Sequence, residues 1–357
     1  MNILFLENFP INKIKDCGSK YIYFILKMLS ELNINIDFVN SFDINNINLP
    51  NINIIKNINH YNNYNHYNYN YCIISRKNSF TIHKEIIDKL KCPIFYINHD
   101  LEFKRKEKEF IENNDYKKYN KKLVKSLKKE EFELINKCSK TLIISLDEIN
   151  YLKNHIQQDK LLYFPLYYQN NEIDRKVLKK THNIVFIGSQ HKPNIDGIKY
   201  FLDNYFNEIL KIKDIKLILV GQVCFYIDNY KKIIPKNLEL KGYVSDEELK
   251  KIMRGTRINL IPLTYGAGLK GKMVDALNYG IPIISTPIGV EGTNIQHEKE
   301  AIIMDFKNYT PQEYAQTFIK YYENRNLLRN IIKNGKEYFL NNFEYNIGKE
   351  KIKNLLN

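Results

Sequence analysis

The sequence predicts an α/β protein built from two doubly wound halves. Three observations carry this. The chain opens with a strand-like apolar run, a glycine break, a helical run and a second strand, the order of a parallel α/β unit. After a polar stretch at 169–183 the same pattern restarts. Several of the later strands are followed within one or two residues by glycine, which lets the backbone turn sharply.

The elements follow in order. "NILFLE" reads as a buried strand and "DCGS" at 16–19 as the loop that ends it. "KYIYFILKMLSELN" has apolar residues at helical spacing, and "INIDFVN" is the second strand. Residues 41–70 carry little structural signal, and "NHYNNYNHYNYN" reads as an exposed low-complexity loop. It has no acid or cysteine to make its histidines a metal site. "YCIIS" and "PIFYINHD" are strands, the latter ending in His99-Asp100. Residues 103–138 form one long, Lys-rich helical region with an approximate stripe of Tyr116, Tyr119, Leu123, Leu127, Leu134 and Cys138. "TLIISLDEINYLKN" gives a strand and helix, and "KLLYFPLYY" a short strand.

In the second half "IVFIGS", "IKLILVG", "LELKGYV", "INLIPL" and "PIIST" are strands. "NIDGIKYFLDNYFNEIL" and "DEELKKIMRGT" are helices, the latter with Ser245 and Glu248 as a capping box. The chain is helical from about 312. The expected organisation is one domain over 1–170, a second over 171–335, and a C-terminal helix over 336–357 that packs back toward the first.

At 357 residues with 44% hydrophobic content, the chain can bury two ordinary cores. Asn, Ile, Lys and Tyr dominate and Trp is absent, a skew expected of AT-rich coding. The net charge of +14 attracts nucleic acid, acidic headgroups or phosphorylated substrates, or reflects the same skew. Residues 103–138 read as a surface helix with a solvated basic face. Peripheral contact with an anionic membrane is the alternative, but the stripe has no large aromatic edge. Cys17, Cys72, Cys92, Cys138 and Cys224 are widely spaced, without the pattern of a zinc site or disulfide framework, so reduced thiols in a cytoplasmic setting are expected. The N-terminal run is too short and acidic for a signal peptide. No stretch approaches the roughly 20 apolar residues of a membrane span.

In doubly wound halves with a cleft between them, ligands sit at the carboxyl ends of the strands. That gathers Gly188-Ser189, Gly221, Gly242, Leu263–Lys272 and Thr286–Gly289, with Asp16–Ser19 and His99-Asp100 from the first half. The segment "LTYGAGLKGKMVDALNYG" at 263–280 is the most informative. Three glycines and two lysines fall within seven residues, Gly266 to Lys272, just before a helix over about 272–279, and Gly280 fits its C-terminus. A helix N-terminus offers free N–H groups and partial positive charge, and Lys270 and Lys272 add full charges. This describes a phosphate cradle, although the Walker A spacing is missing. Asp275, one turn into the helix, suits ribose hydroxyls because a carboxylate only accepts hydrogen bonds. The plainer reading is a glycine-rich turn with solvated lysines.

"IPLTYGAGLKGKMVDALNYGIPIISTPIGVEG" resembles the donor-site signature of glycosyltransferase family 4, the group 1 glycosyltransferases. "DCGSKYIYFILKMLSEL", "INHDLEF", "FIGSQHKPNIDGIKYF" and "LKGYVSDEEL" are similar to the family's other anchors, in the same order. The resemblance implies the GT-B fold of two facing Rossmann-like domains. It further implies a retaining, metal-independent hexosyl transfer from a nucleotide-diphosphate sugar to a glycan, glycolipid or protein-linked hydroxyl. The nucleotide sugar is then a co-substrate and no separate cofactor is expected.

By position, Gly266, Gly268, Leu269 and Lys270 would face the diphosphate and sugar, and Lys272 would be the main cation for the leaving phosphate. Asp275 would bind ribose. Gly242, Tyr243 and Val244 would line the base pocket, and Gly18, Ser19, Gly188 and Ser189 would approach the phosphates. His99 would sit near the transferred sugar, or serve as a structural histidine at a strand end.

The sequence departs from the family at three points. Asp275 stands where Glu is usual. Ala267 stands where the first acid of the paired-glutamate motif would fall. Ser189 replaces a frequent Arg. No Asp-x-Asp falls at a strand end to hold a metal. A nucleotide-sugar-binding protein or an epimerase of the same fold is the first rival. A nucleic-acid-binding protein is the second, without a supporting motif.

Overall fold

The computed structural model describes residues 1–11, 17–42, 47–56, 68–112, 121–171, 182–230 and 234–357. Asp16, Tyr116, Tyr119, most of the Asn/Tyr tract and most of the 169–183 stretch lie outside the described residues. The chain divides into two compact units. The first comprises Met1–Tyr167, Ala267–Leu269 and Tyr345–Asn357, and the second Tyr168–Gly266 and Lys270–Glu344.

The first unit is built on seven parallel strands: β1 (Asn2–Leu6), β2 (Asn35–Val39), β3 (Ile52–Ile55), β4 (Tyr71–Ser75), β5 (Ile94–Asn98), β6 (Lys140–Ile143) and β7 (Leu161–Tyr163). Their order is β3-β2-β1-β4-β5-β6-β7, so the chain reverses direction across the sheet between β1 and β4. Near-continuous apolar runs make such strands, because helices cover both faces of a parallel sheet. β1 is buried from Ile3 to Leu6, β4 from Cys72 to Ser75 and β5 from Phe95 to Asn98. The helix Tyr345–Leu356 packs in this unit against the helix Cys17–Glu31: Gly348 lies against the Tyr167 ring and Met28, and Lys349 reaches Glu31 at 2.9 Å.

The second unit has six parallel strands: β8 (Asn183–Ile187), β9 (Leu217–Val220), β10 (Leu238–Leu240), β11 (Thr256–Ile261), β12 (Ile283–Ser285) and β13 (Ile302–Ile303). The order β10-β9-β8-β11-β12-β13 places the reversal between β8 and β11. One face buries Phe186, Leu219 and Leu260 with Ile198, Phe201 and Phe318 from covering helices.

Both units are the doubly wound α/β halves the sequence predicts. Four expectations change in detail. "DCGS" is not a loop throughout: the helix starts at Cys17, so Gly18 and Ser19 lie in its first turn. The basic region 103–138 is two helices, Glu102–Glu112 and Lys121–Lys137, with the carboxylates of Glu131 and Glu148 accepting from the amides of Leu101, Glu102 and Phe103. These buried acids cap the first helix from outside its own sequence. The strand "LELKGYV" ends at Leu240. β3 and the two-residue β13 are additional, one in an Asn-rich stretch and the other too short to show a period.

The Ser245 side chain caps the helix Asp246–Gly255 through the Glu248 amide at 3.2 Å, while the Glu248 carboxylate lies 4.0 Å from Lys241. The helix Lys192–Phe201 continues through a π turn at Leu202–Phe206 into Asn207–Ile212. Among the described residues no helix is long and apolar enough to cross a membrane, and no group of three or more His, Cys, Asp or Glu is placed to hold a metal.

Candidate functional site

At the carboxyl end of the second sheet three glycine turns meet. Gly188, Gly221 and Gly242 follow β8, β9 and β10. The Gly221 amide donates to Gly242 O at 2.6 Å, and the Val223 amide to Gly188 O at 3.1 Å. A Cβ on Gly221 would come within 2.4 Å of Gly188 O, and its φ is 99°. Only glycine fits a left-handed turn pressed against another backbone. Gly242 also has positive φ, 60°, but faces open space. Tyr243 beside it is exposed and Val244 half-buried.

The loop after β11 is pinned from two sides. A Cβ on Gly197 would meet Pro262 O at 2.5 Å, so the helix Lys192–Phe201 approaches this loop closely. Tyr265 Oη donates to Asp196 at 2.6 Å, and Thr286 Oγ1 donates to Leu263 O. Gly266 has φ 148° and Gly268 φ 68°. Lys270 is the N-cap of the helix Gly271–Asn278, yet its side chain does not cap it and no acid sits in the first turn. The helix therefore brings no carboxylate of its own to this N-terminus, where the Met273 amide donates to Lys270 O at 2.9 Å. Gly280, with φ 63°, ends the helix as expected. Asp275 lies half-buried within it.

The lysines have different partners. Lys272 Nζ donates to Asn194 Oδ1 and lies 4.4 Å above the Phe186 ring. Asn194 Nδ2 in turn donates to Ser189 O and Oγ at 3.3 and 3.1 Å. This chain joins Lys272 to Ser189, two residues the sequence singles out, through one it does not. Lys270 is nearly buried and lies 3.5 Å from Glu291 Oε2. Glu291 ends the short helix Pro287–Val290 and precedes Gly292, whose φ is 90°.

In the first unit, His99 follows β5. Its Nε2 is 2.9 Å from Ser75 Oγ, and its ring stands edge-on to Tyr21 at 5.5 Å. Burial, with help from the Arg76 charge, holds the imidazole well below its ordinary value, so it is neutral near pH 7. Gly18 and Ser19 occupy the first helical turn, with Ser19 Oγ donating to Pro10 O at 3.2 Å. Ala267–Leu269 belong to this unit by their contacts. A Cβ on Gly268 would lie 3.1 Å from His99 O, and Leu269 is buried.

The residues missed by sequence reading are Asn194, Glu291, Ser75 and Arg76. Asn194 carried a usable signal, since it opens the helix just after the Gly188-Ser189 turn. The others carried none.

Residues 181–324 match the model of "Glycosyl transferases group 1". That segment is similar to the group 1 glycosyl transferases. Solved structures place the whole chain in the GT-B fold class, as the sequence predicts. Sucrose-phosphate synthase from Thermosynechococcus elongatus aligns over 99% of this chain and 98% of its own, with TM-score 0.74 and 13% identity. HepE of Anabaena, solved with UDP and glucose, aligns over 100% and 99%, with TM-score 0.74 and 12% identity. WaaG, a glycosyltransferase involved in lipopolysaccharide biosynthesis, aligns over 98% of both chains, with TM-score 0.63 and 12% identity. At such identities the likeness is one of fold. A Klebsiella pneumoniae protein described as an "Uncharacterized 44.6 kDa protein in cps region" is 30% identical over 169 residues, 45% of this chain and 42% of that one. The match thus spans under half of that relative. The group 1 segment holds Gly188, Ser189, Gly242–Val244, Gly266–Lys272 and Asp275 in one stretch of sequence.

Proposed function

We propose that this protein is a retaining, metal-independent glycosyltransferase of family 4, moving a hexosyl group from a nucleotide-diphosphate sugar to a hydroxyl acceptor. The observation that carries the reading is the N-terminus of the helix Gly271–Asn278, which has no acid in its first turn and is flanked by Lys270 and Lys272 inside residues 181–324. HepE, which has the same fold, was solved with UDP-glucose and supports a nucleotide-sugar donor.

Breaking the bond between the anomeric carbon and the diphosphate oxygen leaves negative charge on the phosphate and positive charge on the sugar ring. Fixed cations and amide donors aimed at that phosphate lower the barrier, usually the largest catalytic effect. Lys272, Lys270 and the amides of the first helical turn take this role, with Gly188 and Ser189 beside them. Asp275 takes the ribose, and Gly242, Tyr243 and Val244 the base. Gly18, Ser19, Gly266, Gly268 and Leu269 complete the donor contacts. The acceptor oxygen bonds to the anomeric carbon on the face the diphosphate leaves, and its proton passes to a departing phosphate oxygen. No protein nucleophile, resident cofactor or metal is required. Neutral His99 binds the sugar through a hydrogen bond rather than by charge.

Release of free nucleoside diphosphate from a panel of UDP-, GDP- and ADP-sugars, in the presence of chelator, tests this reading. Lys272→Ala should lower turnover about a hundredfold with the fold intact, the cost of losing one transition-state donor. Wild-type turnover in that variant, a requirement for a divalent cation, or no release from any donor would overturn it.

A further inference from the structure

The first unit carries a second polar cluster at the carboxyl end of its sheet, where strand order reverses between β1 and β4. Ligands of open parallel sheets bind at such reversals. Glu7 follows β1 and is 1% exposed, and Arg76 follows β4 with its side chain 27% exposed. Arg76 Nε lies 3.6 Å from Glu7 Oε2, too far for a hydrogen bond, and is buried without a partner. The guanidinium lies 4.5 Å over the Phe9 ring. The Arg76 charge also acts on His99, which follows β5. A buried guanidinium Nε without a hydrogen bond beside a fully buried acid is a costly arrangement.

The backbone at Arg76 adds to this. Its φ of 68° and ψ of 147° lie in a region that L-residues rarely adopt, at a cost of about 1–3 kcal/mol that tends to persist where function requires it. The neighbouring loops are tied together. Asn40 Nδ2 donates to Phe9 O at 2.8 Å, the Phe42 amide donates to Asn40 Oδ1 at 2.9 Å, and Ser41 Oγ donates to Asn8 Oδ1 at 3.0 Å. They present Phe9 as an exposed ring beside the cation.

We propose that Arg76 binds an anionic group, a carboxylate or a phosphate, on the acceptor, with Phe9 flanking it. That the anion belongs to an acceptor rests on the transferase reading. The planar guanidinium fork matches both oxyanions two bonds at a time, which a point-charge lysine does not. Glu7 lies on the Nε side of the guanidinium, 3.6 Å away. Burial pushes the Glu7 carboxyl above its ordinary value despite the Arg76 charge.

The test is binding, followed by saturation-transfer NMR at low salt with methyl glucoside, methyl glucuronide and glucose 6-phosphate. The anionic probes should bind wild type about tenfold more tightly than the neutral one, as expected for charge-assisted hydrogen bonds. That preference should shrink as salt rises and vanish in Arg76→Gln. Arg76→Gly suits the backbone and should lose the preference with the fold retained, so a misfolded Gln variant does not end the test. A preference for one anion identifies the group as carboxylate or phosphate. Equal binding of all three probes to wild type, or a preference that survives in both variants, overturns the inference. A wild type that selects the anion but releases no nucleotide from any donor leaves this inference standing and sinks the transferase reading.

Discussion

Lys270 Nζ lies 3.5 Å from Glu291 Oε2, so this nearly buried lysine at the start of the helix Gly271–Asn278 already has a carboxylate beside it. A phosphate arriving at Lys270 competes with that carboxylate and is repelled by it. Glu291→Gln should therefore tighten the binding of nucleoside diphosphate about three- to tenfold, or ~0.7–1.4 kcal/mol. Isothermal calorimetry checks this. Weaker binding would mean that Glu291 positions Lys270 for the ligand and does not compete with it.

Two glycines of the second unit should respond differently to alanine. Gly221 combines φ 99° with a backbone oxygen 2.4 Å from the new Cβ, and Gly242 has φ 60° with nothing within 4 Å. Gly221→Ala should cost about 3 kcal/mol, from strain and overpacking together. Gly242→Ala should cost about 1 kcal/mol, from strain alone. Denaturant unfolding measures both, and equal costs would refute the packing account.

Glu131 gives the first unit a pH dependence. Burial pushes its carboxyl from an ordinary 4.5 up to about 7, against the pull of the Glu102 and Phe103 amides. The raised value means that the folded state holds the proton more tightly than the unfolded chain. The associated stability is complete below about pH 4.5 and is lost as pH rises through about 7. At about 1.4 kcal/mol per pH unit, the loss is about 3 kcal/mol. Glu131→Gln should flatten the stability profile across that window. A profile as steep as that of wild type would assign the effect to other groups.

Asn259 sits in β11 between Val185 of β8 and Ile283 of β12, buried, and neither side-chain polar atom has a partner among the described residues. Replacing an unpaired buried amide by a hydrocarbon of similar shape removes a desolvation cost. Asn259→Leu should raise the unfolding free energy by about 1 kcal/mol. A lower melting temperature would count against this account.

The fold was legible where packing is local. Runs such as "NILFL" and "LILV" announce buried parallel strands because both faces must be apolar. β3 escaped notice because its isoleucines sit in an Asn-rich tract. The helix start at Cys17 was hidden because Gly18 reads as a breaker. The split of 103–138 was masked by uniform Lys content, and the acids that cap its first helix come from residues 131 and 148.

The sequence by itself determined the alternation of strands and helices, the restart of the pattern in the second half, and the glycines and lysines around 266–272. All of these are written in spacings shorter than one helical turn or one loop. Only the tertiary structure decided what each charge meets. Lys272 finds Asn194 across 78 positions, and Lys270 finds Glu291 across 21. Glu7 meets Arg76 because β1 and β4 are neighbours in the sheet. Apolar periodicity is a local property of the chain. The environment of a buried charge depends on which distant segments the sheet order brings beside it, and no short-range pattern records that.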